Sequence, residues 1–209
     1  MIQQAHRMFD EMKNAAIARL AGRTPEDIAE KARVPFDGTT FLLDTLGMHI
    51  RIQYPEYHMT PQLHDWHTLA VLHYLDLADG TPRTGKWMNF SQQKDGMVRG
   101  GGFDRKAELQ MQTSIGKLPP DVLHQRCQAL GGTQVLSNAD YCCELPFLPM
   151  YPVLLQIWFA DEEFAPSGRL LLDSSASHYL TVEDAVVVGE LLLELLSPAS
   201  AHPNIAYST

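Results

Sequence analysis

The stretch from Ala185 to Leu196, AVVVGELLLELL, constrains this chain more than any other, because only Gly189, Glu190 and Glu194 interrupt its apolar residues. Thr181 is placed to cap it as a helix, and Glu183 and Asp184 fall in the first turn, where acids complement the positive helix end. Glu183, Glu190 and Glu194 then form one narrow polar stripe, and nearly every other direction is apolar. Such a helix has to be covered on most sides. The cover is either the centre of a domain or a second subunit, which makes the C-terminal helix a candidate homodimer contact. At about 12 residues it is too short for a membrane span, which takes about 20.

Sequence does not separate the two kinds of cover. With 209 residues, 45% of them hydrophobic and 20% charged, it falls in the range of one globular domain with a sizeable core. Ile2, Ala5, Phe9, Met12, Ala16 and Leu20 recur at helical spacing, and Gly22 ends that helix. Thr24-Pro25-Glu26-Asp27 starts a second. Residues 39–54 read as a hairpin turning at Leu46-Gly47, and residues 62–78 as a helix with Leu63, Trp66, Ala70, His73 and Leu77 on one face. A strand is expected over 86–92, a glycine loop over 96–102, and helices over 104–115 and 120–130. Further strands are expected over 133–136, 141–145, 153–160 and 169–172, with Pro146, Pro149 and Pro152 restricting the pairing. The expectation is a single α+β domain over 1–198, a mostly antiparallel sheet packed with helices and flanked by helices at both ends. A flexible tail is expected over 199–209.

A net charge of −9 repels phosphate backbones and anionic headgroups, so neither nucleic acid nor membrane is an expected partner. Cys127, Cys142 and Cys143 cannot all pair within one chain, and the mixed N-terminal charges lack a secretory core, so the expected location is cytoplasmic.

Several groups of residues carry candidate chemistry. His64 and His67, three apart on a helix, share a face and are spaced to hold one metal ion, although no glutamate or cysteine signature accompanies them. Adjacent Cys142 and Cys143 on a strand point to opposite sides. Asp161, Glu162 and Glu163 follow a strongly apolar strand and are candidate oxygen ligands for a divalent cation. The run Asp173-Ser174-Ser175-Ala176-Ser177-His178-Tyr179 leads into the last helix, and its serines and amides suit an anion. Arg99-Gly100-Gly101-Gly102 suits a phosphate or carboxylate but matches no phosphate-loop signature.

The segments TPEDIAEKARVPFD, LHYLDLADGTPRTGKWMNF and the long stretch from LGGTQVLSNADYCCELP through ADEEFAPSGRLLLDSSASHYLTVED to GELLLELL together resemble a prokaryotic family known as domain of unknown function 3786. The likeness runs from about Thr24 to Leu196. It implies a cytosolic protein of anaerobic or metabolically versatile prokaryotes, some of whose relatives carry an iron–sulfur module of the kind found beside corrinoid proteins. This chain departs from the family pattern at Asn138-Ala139-Asp140 and in its 91–96 loop. That context, with histidines and aromatics suited to ligate and sandwich a flat ligand, leads to the first functional expectation: a small-molecule or cofactor-binding protein. Its sharpest form is a tetrapyrrole, haem or corrinoid, held by His73, Trp87, Arg99, Trp158, His178 and Tyr179. A metal-dependent enzyme using Asp161, Glu162, Glu163 and His178, with Asp140 nearby, is the alternative. A structural or regulatory subunit of a homodimer is the third.

Overall fold

The computed structural model describes residues 2–200, and side chains from residue 7 onward. Most of the expected tail, residues 201–209, lies outside the described residues, as do the side chains of Ile2 and Ala5. The apolar C-terminal segment is a helix, α6 (Val182–Leu196), capped as its sequence predicts. The Thr181 hydroxyl accepts from the Asp184 amide at 3.2 Å, while the Asp184 carboxylate accepts from the Thr181 amide and hydroxyl. Helices α3 (Asp65–Leu77), α4 (Arg99–Thr113) and α5 (Pro120–Ala129) pack against it. Its apolar sides are thus covered within the one chain, and each fully buried leucine contributes roughly 1.5–3 kcal/mol. Helix α1 (Ile2–Leu20) lies on α3, as does α2 (Pro25–Ala32), whose N-cap is Thr24.

Two antiparallel sheets complete this α+β fold. The smaller joins β1 (Thr40–Thr45), β2 (Met48–Gln53) and β3 (His58–Thr60) in chain order. Its first turn is Leu46-Gly47, both at positive φ, the conformation that matches the twist of a two-residue hairpin. The larger sheet has β4 (Trp87–Met88), β5 (Thr133–Gln134), β6 (Tyr141–Leu148), β7 (Tyr151–Trp158) and β8 (Ser167–Asp173) in the order β4-β8-β7-β6-β5. The sheets meet where the Leu46 amide donates to the Pro146 carbonyl at 3.0 Å. Among the described residues no helix is long and apolar enough to cross a membrane.

The structure departs from sequence expectation where nonlocal contacts outweigh local preference. The expected glycine loop over 96–102 becomes helix from Arg99 onward. Three consecutive glycines are poor helix formers, but the chain at Phe90 and Ser91 lies so close that a Cβ on Gly100 would collide with the Phe90 carbonyl. The Asp104 carboxylate secures the same contact by accepting from the Phe90 and Ser91 amides at 3.1 and 3.0 Å. Strand β6 runs through Pro146 to Leu148, opposite Pro152, with an irregular register between Pro146 and Leu148. Only Trp87–Met88 of the expected 86–92 strand pairs, and 90–92 is a 3-10 turn. Cys142 and Cys143 do point to opposite faces: Cys143 joins the main core, and Cys142 a small cluster with Leu154 and Leu171.

Candidate functional site

A groove of about 1050 Å³ runs along α6 between α3 and α4. It grows directly from the sequence of α6, because the stripe of Glu183, Glu190 and Glu194 left over from the apolar surface lines it, together with Val186 and Val187. One wall is α3, with Trp66, Leu69 and Ala70 and with His64 at its N-cap. The other is α4, with Arg99, Gly102, Phe103 and Lys106. Lys106 pairs with Glu190 across the groove. The lining mixes apolar and charged side chains, and its carboxylates, Glu183, Asp184, Glu190 and Glu194, outnumber Arg99 and Lys106. Met12 of α1 and Ser197, Ala199 and Ser200 after α6 also line it.

Gly102 is unusual in this wall. A Cβ there would meet nothing within 4 Å, whereas one on Gly100 would strike Phe90 and one on Gly189 would strike the Phe103 ring. Gly100 and Gly189 are required by packing, and Gly102 is not. Glycine inside a helix costs about 1 kcal/mol relative to alanine, and no packing contact accounts for it at Gly102, which is exposed.

At the N-terminal end of α6, His73 meets Asp184, with Nδ1 and Oδ1 2.6 Å apart and both side chains largely buried. His73 lies one helical turn beyond Leu69 and Ala70, and Asp184 itself lines the groove. The Tyr151 hydroxyl, fully buried and without a hydrogen-bond partner among the described residues, is near enough for the Asp184 charge to add to the effect of burial in raising its pKa.

The residues singled out from sequence fall in several places. Arg99 lines the groove; His73, Trp87, Trp158, His178 and Tyr179 do not. Trp87 pairs with Asp173 at one end of β8 and Trp158 with Ser167 at the other, about 20 Å apart at the rise of a strand. Trp158 donates to the Asn138 carbonyl at 3.2 Å and lies under the Arg169 guanidinium. Tyr179 is buried, stacked on Tyr74 at 5.5 Å, and donates to the Thr81 carbonyl. His178 is half exposed and bonded to Asp79 at 2.7 Å.

The same separation applies to the acids. Asp161 belongs to the loop before β8 and His178 to the turn after it, so Arg99, Asp161 and His178 do not share the groove. Asp161 folds its own loop, accepting from the Glu163 and Phe164 amides at 2.8 and 2.7 Å, and these bonds lower its pKa. Glu162 and Glu163 are exposed beside it. Asp140 accepts from the Phe159 amide at 2.9 Å. Among the described residues no group of three or more His, Cys, Asp or Glu side chains is arranged to hold a metal ion.

The two glycine and serine segments are also occupied. The amides of Gly100 and Gly101 donate to the Gly96 carbonyl, and that of Gly102 to the Val98 carbonyl. Asp173 accepts from the amides of Thr84, Gly85 and Ser175 and from the hydroxyls of Thr84 and Ser175. His67, unlike His64, is buried away from the groove. The Thr45 hydroxyl donates to the Phe147 carbonyl at 2.6 Å, so it accepts from His67 Nε2 at 2.8 Å, and this links α3 to both sheets.

The sequence pointed to Gly102 only as part of a candidate anion segment, and to Asp184 only as an acid in the first turn of the last helix. The signal for Gly102 was present, a third glycine in a row next to a helix. For Asp184 there was none, since its partner is 111 positions away. The model of the family described as Domain of unknown function (DUF3786) matches residues 24–195, which takes in α3, α4 and α6. No curated protein and no solved structure matches the chain.

Proposed function

The chain belongs to that family, and on that premise we propose that it binds a large amphipathic small molecule or cofactor in the groove between α3, α4 and α6. The observation that carries this reading is Gly102, a helical position kept without a side chain where the protein offers nothing to fill the space. The volume supports a large ligand, since small-molecule sites span roughly 300–1,000 Å³. Apolar side chains interspersed with charges along the groove suit a large body carrying polar substituents.

A tetrapyrrole, haem or corrinoid, is the sharpest form of the reading. The residues that fit it are His64, whose imidazole is the type of axial ligand that sets the reactivity of such a metal centre, and Trp66 beside it on the same wall. Arg99 and Lys106 would meet acidic substituents. Because the groove's carboxylates outnumber these two, a ligand with mainly neutral side groups, as in an amidated corrinoid, is favoured over one with several carboxylates.

Titration of the full chain with haem and with cobalamin, followed by absorbance and by tryptophan fluorescence, tests the proposal. A saturable change with one of them is expected, and Gly102→Leu, which puts a bulky side chain into the groove wall, should weaken it. No saturable change with either ends the tetrapyrrole form, and binding left unchanged by Gly102→Leu moves the site elsewhere.

A further inference from the structure

The groove along α6 is continuous with the chain that leaves that helix. Ser197, Ala199 and Ser200 follow α6 directly and line the groove. The backbone turns there: the Ser200 amide donates to the Ser197 carbonyl at 3.0 Å, closing a four-residue turn with Pro198 in the second position, where proline presets φ. Such a turn sends the chain back toward the element it came from. Arg126 of α5 holds the reversal in place, its guanidinium donating to the carbonyls of Leu195, Ser197 and Ser200 at 3.4, 2.9 and 3.5 Å.

Residues 201–209 continue from this turn and read Ala-His-Pro-Asn-Ile-Ala-Tyr-Ser-Thr. They include no Asp, Glu, Lys or Arg, and Ile205 and Tyr207, two apart, share one side of an extended chain. A groove whose carboxylates outnumber its cations repels an acidic segment and accepts an uncharged one. Reach is sufficient as well. Nine extended residues span about 30 Å, and the 15-residue α6 is only about 22 Å long.

We propose that residues 201–209 are an intramolecular occupant of the groove, laid back along α6, which a small molecule has to displace in order to enter. A tethered occupant lowers the apparent affinity for any competitor by the fraction of time the groove stands open. The displacement rests on the groove reading above. The contact itself does not.

Hydroxyl-radical footprinting of the full chain, read by peptide mass spectrometry, tests the contact. Met12 and Trp66 are the oxidation-prone side chains of the groove lining. Met97, 83% exposed and outside the lining, is the reference, and the buried Met111 reports an intact fold. Ile205→Asp combined with Tyr207→Asp sets two carboxylates against the acidic lining and should expel the segment. Met12 and Trp66 are then expected to oxidise several-fold faster than in the wild type, with Met97 unchanged and Met111 protected. Equal rates at Met12 and Trp66 in the two chains overturn the proposal. So does wild-type protection that fades on dilution, because the cover is then a second copy. Should Met111 become reactive in the double variant, Ile205→Ser with Tyr207→Ser takes its place.

Absorbance titration with haem and with cobalamin reads the displacement. The expelled variant should bind one of them several-fold more tightly than the wild type, and equal affinity despite a footprint difference overturns the displacement. A footprint difference in chains that bind neither keeps the contact and ends only the tetrapyrrole form of the groove reading. Equal footprints in chains that bind one leave the groove reading standing without this proposal.

Discussion

With its side chain almost wholly out of water, His67 is held neutral: burial, and to a lesser degree the neighbouring His64, push its pKa from 6.5 down to about 4. The unfolded chain takes up this proton first, so the contribution of neutral His67 is full above pH 6.5 and is lost as pH falls through 4, roughly 3 kcal/mol in all. Denaturant unfolding at a series of pH values should show this loss, and His67→Gln, which does not titrate, should flatten it. Asp173 extends the decline at lower pH. Burial raises its pKa, but bonds from Ser175, Thr84 and Gly85 together outweigh burial and bring it from 3.8 to about 2. Its contribution, about 2 kcal/mol, is present above pH 3.8 and lost as pH falls through 2. Asp173→Ala leaves several donors unpaired and should lower the unfolding free energy by roughly 2–4 kcal/mol, read from the denaturant midpoint.

Within α4 and α6, glycine has two opposite meanings that separate by experiment. Gly100 and Gly189 are small because Phe90 and Phe103 occupy the space where a Cβ would stand, so alanine at either should destabilise by roughly 1–3 kcal/mol through overpacking, more at Gly100, where the obstacle is backbone. Gly102→Leu meets no such obstacle and replaces the poorest ordinary helix residue with a good one, so stability should rise by up to about 1 kcal/mol in thermal or denaturant melts. A chain that is more stable and binds more weakly is the signature expected of a position kept open for a ligand. The helices themselves were legible because their signals are local: the Thr24 and Thr181 caps and the apolar spacing of α3 lie within a few residues of the backbone they shape. The start of α4 was not, since the contact that makes helix out of Arg99 to Gly102 comes from Phe90.

For the molecule as a whole, one core joins α6, its surrounding helices and the inner face of the large sheet, and Cys127 and Cys143 are buried in it. Cys142 is buried on the opposite sheet face. A thiol reagent should therefore label none of the three quickly in the native state and all three in denaturant, with the denaturant midpoint for labelling following that of unfolding. The candidate site followed a different rule from the core. Arg99 was singled out from sequence and does line the groove, but Trp87 and Trp158 were grouped by residue type and sit at opposite ends of β8. The sequence by itself determined that α6 is an apolar helix needing cover and that the chain is acidic, because those properties depend on neighbours three to four residues apart and on composition. Only the tertiary structure decided that the polar stripe of α6 lines a groove, that Gly102 stands in its wall, and that His73 meets Asp184. Those juxtapositions depend on how whole elements pack by shape and volume, which no local pattern encodes.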